Sequence, residues 1–124
     1  MKVLVVEDNP LMLKTVELKL IKDGYEVICC TDGKDALEKI SSELPDVVLT
    51  DIMLPYVSGL EVISAVKAMT EKKIIVIVFS VMGQEDVVEE AFSLGADDYI
   101  TKPLSLTELK IRIGNSMKRI MPLQ

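Results

Sequence analysis

At 124 residues and 49% hydrophobic content, the chain has the length of one domain and enough apolar side chains to bury a core. A formal charge of −6 argues against a basic nucleic-acid footprint, and the absence of histidine removes His-dependent catalysis and the commonest transition-metal ligand. No stretch approaches the ~20 apolar residues of a membrane span, and the opening apolar run is too short for a secretory signal, so a soluble cytoplasmic protein is the expectation.

The first apolar run, residues 3–6, reads as a strand and stops at Glu7-Asp8. Asn9-Pro10 then supplies a cap and a first-turn proline, and Leu13, Val16 and Leu20 carry a helical stripe as far as Asp23-Gly24. Residues 25–29 form the second strand, which ends at the adjacent Cys29 and Cys30, whose side chains point to opposite faces and do not suit a mutual disulfide. Leu37 and Ile40 mark a second helix between Asp32-Gly33 and Leu44-Pro45-Asp46.

A third strand, 47–50, ends at Asp51 and a Pro/Gly-bearing loop. Ser58 and Glu61 form a capping-box pattern ahead of the Leu60, Ile63, Val66 stripe. The fourth strand, 74–79, ends at Ser80, and Val87, Val88, Ala91 and Leu94 form the fourth helical stripe. The fifth strand, 98–100, leads to Lys102. Ser105 and Glu108 repeat the capping pattern before the longest stripe, Leu106, Leu109, Ile113, Met117 and Ile120. The methionines at 12, 53, 69, 82 and 117 read as core or rim packing, since no metal-ligand spacing of soft residues exists.

The order is (βα)5. Strands one, three and four are continuously apolar, as parallel strands covered on both faces are. Alternating β and α elements imply right-handed crossovers and a doubly wound sheet, whose ligands bind beyond the carboxyl ends of the strands. Glu7, Asp8, Asp51, Ser80 and Lys102 all fall at that edge. Three converging carboxylates repel unless a cation neutralises them, and oxygen-only ligands suit a hard ion such as Mg²⁺. Taken singly, each residue has a plainer reading: a solvated strand end for the acids, a dipole partner of the next helix for Glu7-Asp8, a turn residue for Ser80, a surface charge for Lys102.

In order along the chain, the segments VVEDN (5–9), DIMLPYVSG (51–59), FSVMG (79–83) and GADDYITKP (95–103) give it a specific likeness. It resembles the receiver domain of the two-component response-regulator family from about residue 2 to residue 119. The resemblance implies a flavodoxin-like five-stranded parallel sheet in the order 2-1-3-4-5. It implies a receiver domain over 1–120, with 121–124 a tail or the start of a linker. Asp51 matches the phosphoacceptor, supplied by a sensor histidine kinase, a phosphotransfer protein or a small phosphodonor. Glu7 and Asp8 match the acidic pair that holds Mg²⁺ with Asp51 and the main-chain carbonyl of Met53. Ser80 matches the hydroxyl that bonds the phosphoryl oxygen, Lys102 the lysine that pairs with the acyl phosphate, and Tyr99 the switch aromatic. Lys102-Pro103 matches a cis peptide bond. Val81 departs from the small residue often found there, which suggests a longer-lived phosphoaspartate.

The resemblance places signalling on the surface of helix four, strand five and helix five. Asp97, Asp98, Arg112 and Arg119 match positions that pair two subunits in one branch of the family. Helix four carries Glu85, Asp86, Glu89 and Glu90 without a basic residue to complete that set, so a homodimer and a solvated acidic face both stand as readings. A phosphoacceptor switch, rather than an enzyme acting on other molecules, is the favoured function. A Mg²⁺-dependent phosphohydrolase of the haloacid-dehalogenase type is disfavoured by Met53 where a second acid is needed. A non-phosphorylated interaction module is disfavoured by the intact set at the carboxyl edge.

Overall fold

The structure, a computed structural model, describes residues 1–120; the segment 121–124, expected as a tail or linker start, and the side chain of Ile120 lie outside the described residues. Five strands and five helices alternate. They are β1 (Lys2–Val6), α1 (Pro10–Lys22), β2 (Glu26–Cys30), α2 (Gly33–Glu43), β3 (Val47–Asp51), α3 (Gly59–Ala68), β4 (Ile75–Val81), α4 (Glu85–Ser93), β5 (Asp98–Lys102) and α5 (Leu106–Ile120). All neighbouring strands are parallel, in the order β2-β1-β3-β4-β5, as expected.

The period-two alternation of each strand divides the core between two faces. Leu4, Val6, Val48, Val76 and Val78 point to one face and meet Ala36, Ile40, Val62, Ile63, Val66 and Ala91 of α2, α3 and α4. Val3, Val5, Val47, Leu49, Ile75, Ile77 and Phe79 point to the other and meet Val16 and Leu20 of α1 and Leu109 and Ile113 of α5. Covered on both sides, β1, β3 and β4 have no use for polar side chains until their carboxyl ends, which is why charge collects there.

The expected caps form. Asn9 Oδ1 accepts from the Leu11 and Met12 N–H groups at 3.0 and 3.1 Å. Asp32 accepts from Asp35 N–H at 2.8 Å, Ser58 from Glu61 N–H at 3.3 Å, and Ser105 from Glu108 N–H at 3.2 Å. Helix α4 begins differently: Gln84 gives it no side-chain cap and instead accepts the Val81 N–H at 2.8 Å, folding the turn back onto β4.

Several sequence expectations need adjustment. Ser80 and Lys102 lie inside β4 and β5 rather than after them, because the ladder continues through Ser80↔Thr101 and Val81↔Lys102. Backbone pairing is indifferent to side-chain polarity, so apolar runs understate strand length. Leu94 and Leu106, placed on the helical stripes, are exposed at the ends of their helices. Met12, Met69 and Met117 pack against the core as expected, whereas Met53 and Met82 stand exposed in the loops that rim the carboxyl edge. Burial pushes the Cys29 thiol up to about 11 and Cys30 up to about 12, aided by the nearby Glu17 and Asp35, so both stay protonated near neutral pH.

At the opposite end of the sheet, ion pairs lock the chain crossings. Asp97 accepts from Lys67 Nζ and from Val76 N–H, both at 2.8 Å. Asp98 accepts from Arg112 at 3.2 Å, and Arg119 lies 3.9 Å from Asp97. The four residues singled out as inter-subunit candidates are therefore engaged within one chain.

Candidate functional site

Parallel pairing brings the carboxyl ends of β1, β3 and β5 to one edge, and each delivers one charged residue there. Glu7 follows β1 directly, Asp51 closes β3, and Lys102 closes β5. Glu7 is 1% exposed and Asp51 7%, which is unusual for carboxylates and requires partners. The Lys102 ammonium supplies them, donating to Glu7 Oε1 at 2.8 Å and to Asp51 Oδ2 at 2.7 Å. It also lies 5.9 Å from the centroid of the Phe79 ring, within cation–π range.

The remaining carboxylate oxygens are held by backbone. Asn9 N–H donates to Glu7 Oε2 at 2.9 Å, and Met53 N–H to Asp51 Oδ1 at 3.1 Å. The loop that carries the Met53 N–H is pinned by Gly59, whose N–H donates to the Ile52 carbonyl at 2.8 Å. A Cβ on Gly59 would collide with the Asp51 carbonyl oxygen, so only glycine lets α3 start this close beneath the aspartate.

Asp8 completes the acidic group. One carboxylate oxygen from each of Glu7, Asp8 and Asp51 lies within 4.8 Å of the others, with Asp8 exposed and the other two buried. Lys102 touches two of the three acids. Three negative charges against one positive leave this edge anionic, with Asp8 open to solvent. This donor set of carboxylate oxygens fits a hard divalent cation in chemistry and charge.

The electrostatics follow from this crowding. Burial raises the Glu7 carboxyl above its ordinary value, with Asp8 and Asp51 adding to the shift and Lys102 and the Asn9 N–H opposing it. Burial works against the Lys102 ammonium, but the hydrogen bonds and charges of Asp51 and Glu7 outweigh it and hold the ammonium above its ordinary value. Lys102 is thus cationic across the neutral range, a fixed positive charge 2.7 Å from the Asp51 oxygen.

Ser80 and Tyr99 sit beside this cluster rather than in it. Ser80 is buried one position past Phe79, the ladder partner of Asp51. It faces a groove of about 510 Å³ between β4, β5 and α4, whose walls include Val88, Phe92, Tyr99 and Thr101. Tyr99 is half-exposed with its ring set edge-on against Phe92, centroids 5.9 Å apart and planes at 89°. The Lys102-Pro103 bond is cis, as the resemblance implied.

Glu7, Asp8, Asp51 and Lys102 thus meet in one cluster, Ser80 and Tyr99 share the adjoining groove, and Met53 enters through its backbone. Sequence reading missed three contributors. Asn9, recognised only as a cap, also fixes the Glu7 carboxylate through its N–H. Gln84 anchors the Val81 backbone beside Ser80, and Phe92 supports Tyr99. Gln84 acts through a turn contact three residues back, and Phe92 through a contact between α4 and β5 that no local pattern encodes.

A family model described as the response regulator receiver domain matches residues 3–114. A response regulator receiver domain protein from Clostridium thermocellum is similar at 30% identity with a TM-score of 0.91, covering 99% of this chain and 98% of that one. The receiver domain of a Francisella response regulator is similar at 32% identity and a TM-score of 0.87, covering 96% and 98%. The receiver domain of a sensor histidine kinase from Pseudomonas aeruginosa, with a magnesium ion coordinated in its active-site cleft, is similar at 26% identity and a TM-score of 0.84, covering 94% and 96%.

Proposed function

This chain belongs to the response regulator receiver-domain family of two-component signalling, and from that premise we propose that it is a phosphoacceptor switch whose acceptor is Asp51. The observation that carries the reading is the single cluster of Glu7, Asp8, Asp51 and Lys102, assembled from β1, β3 and β5. A carboxylate oxygen of Asp51 attacks the phosphorus of a phosphohistidine or of acetyl phosphate. The new O–P bond forms as the bond to imidazole nitrogen or acetate oxygen breaks, and the leaving group keeps the electron pair. A carboxylate needs no deprotonation at neutral pH, so a site without histidine suffices.

Such a transfer depends on positioning and charge neutralisation more than on covalent help. Asp51 is held from both sides, by Met53 N–H and by Lys102. Lys102 follows the phosphoryl oxygens as charge builds on them. Glu7, Asp8, Asp51 and the Met53 carbonyl are the groups that would hold Mg²⁺, which when bound offsets the negative charge of the acceptor and the phosphoryl oxygens. The hydroxyl of Ser80 bonds a phosphoryl oxygen, and its movement frees the groove for the Tyr99 ring. The partner is a sensor histidine kinase or phosphotransfer protein. Leu11 at the start of α1 and Leu106 at the start of α5 stand exposed close to the cluster and suit an apolar contact with it. One chain carries every group named, so a homodimer is not needed for the chemistry; one built on Asp97, Asp98, Arg112 and Arg119 would exchange internal pairs for external ones.

Incubation with labelled acetyl phosphate and Mg²⁺ tests the reading. The native chain takes up label and loses the ability when Mg²⁺ is chelated, and Asp51→Asn takes up none. Labelling retained in Asp51→Asn would assign the wrong acceptor. Rapid turnover of phosphomonoesters would favour a hydrolase instead.

A further inference from the structure

Helix α4 is the shortest of the five helices, has no side-chain cap at its start, and buries only Ala91 fully. Its first turn carries Glu85 and Asp86, and Gly83 before it adopts a φ of +94°. Such a helix is weakly held, and contacts near its far end matter more than they would in a well-buried one. Phe92 makes one of them, with its ring set edge-on to Tyr99 of β5. The two rings are 41% and 39% exposed, so this contact lies at the mouth of the groove that Ser80 faces.

We propose that Phe92 is a positioning residue that holds Tyr99 in its outward orientation and so sets how readily the domain switches. The inference rests on the phosphoacceptor reading above and deepens it. An edge-to-face pair is geometry-specific: a ring rotation that carries Tyr99 toward Ser80 gives up the 89° arrangement with Phe92. The contact therefore stabilises one of two states, and a ligand that favours the other must work against it. The ring lines the groove of about 510 Å³ that Ser80 also lines, so inward rotation breaks the contact with Phe92 in addition to requiring Ser80 to move. Removing the contact shifts the equilibrium toward the inward state by about two- to tenfold, the contribution of an aromatic pair beyond its buried area.

The test follows the Tyr99 ring by NMR of isotope-labelled tyrosine, assigned with Tyr99→Phe, in full-length protein with and without Mg²⁺ and beryllofluoride. Phe92→Leu keeps bulk and removes the aromatic edge. It moves the Tyr99 signal of the free protein toward its beryllofluoride-bound position and tightens Mg²⁺-dependent beryllofluoride binding by about two- to tenfold. Phe92→Tyr, which keeps the aromatic edge, behaves as wild type on both counts. Phe92→Met serves as the second non-aromatic variant if Phe92→Leu folds poorly. An unchanged Tyr99 signal and affinity in both non-aromatic variants, with beryllofluoride still bound, overturns the role of Phe92 and leaves the phosphoacceptor reading standing. Failure of every variant and of wild type to bind beryllofluoride overturns both.

Discussion

Replacing Lys102 by methionine keeps most of the side-chain bulk and removes the ammonium that bridges Glu7 and Asp51. Both bonds are short, 2.8 and 2.7 Å, and both acceptors are nearly inaccessible to solvent. A charge-assisted hydrogen bond contributes about 1.5–3 kcal/mol, and removing one partner of a buried pair costs about 3–5 kcal/mol. The lysine side chain is 20% exposed, so water recovers part of the loss. At pH 7 without Mg²⁺, Lys102→Met is expected to be less stable than wild type by about 2–4 kcal/mol, or roughly 6–20 °C in Tm for a domain of this size.

The loss depends on pH in a defined direction. The raised Lys102 ammonium stabilises the wild type below its ordinary value, and that stabilisation fades as pH climbs through the raised one. The raised Glu7 carboxyl binds its proton more readily in the folded chain, so its burial costs nothing at low pH and more as pH rises through its folded value. The gap between variant and wild type is therefore widest between those two titrations and narrows toward acid. Saturating Mg²⁺ narrows it as well, because the ion meets no competing ammonium in the variant, and a ligand at 100 times its Kd adds about 2.7 kcal/mol to the state that binds it. Urea unfolding followed by circular dichroism, in chelator and in Mg²⁺, at pH 5 and pH 7, measures all four gaps. A variant as stable as wild type in chelator at pH 7, or a gap that ignores both pH and Mg²⁺, would refute the electrostatic account of the cluster.

Other expectations come from single contacts. Val81→Ala opens the exposed end of β4 beside Ser80, while the Gln84 side chain still holds the backbone at 2.8 Å, so the phosphoaspartate lifetime falls severalfold; equal lifetimes would show that water reaches Asp51 by another route. Asp46 accepts from Lys2 N–H and Lys72 Nζ at 2.8 Å, and although burial opposes them these partners hold its carboxyl below the ordinary value. Asp46→Asn then costs about 1–2 kcal/mol at pH 7, and the deficit fades as pH falls through the ordinary carboxyl range and on through the lowered folded value; a constant deficit in urea titrations across that range contradicts it. Tyr56 is 91% exposed at φ +67°, a left-handed backbone with no packing to offset it, so Tyr56→Asn raises the urea midpoint by about 0.5–1 kcal/mol equivalent, and a lower midpoint would show that the ring matters to the fold.

The fold was readable because each signal was redundant. Asn9-Pro10 marked the start of α1 both as a cap and as a first-turn proline, and the continuous apolar runs of β1, β3 and β4 could belong only to strands covered on both faces. The order of strands was less so: periodicity gives alternation of β and α, and the 2-1-3-4-5 arrangement came from the likeness to a family. Glu7, Asp8, Asp51 and Lys102 could be proposed as a group because parallel strands deliver their ends to one edge. Which oxygens face which nitrogens could not, since the bridging role of Lys102 depends on side-chain reach across 95 residues of sequence. The same limit hid Phe92. Its partner, Tyr99, is set by how α4 lies on the sheet, and the burial pattern of α4 constrains that only through Ala91. Leu94 and Leu106 fit their helical stripes and still point to water, because helix ends extend past the sheet that the stripe covers.

Trapping the acceptor covalently tests the account most directly. Protein treated with acetyl phosphate and Mg²⁺ is reduced with borohydride, which converts an aspartyl phosphate to homoserine, and the digest is sequenced by mass spectrometry. Homoserine at position 51 alone, dependent on both donor and Mg²⁺, is the predicted result. Reduction at Glu7, Asp8 or a distant acid, or none anywhere in a folded sample, would contradict it.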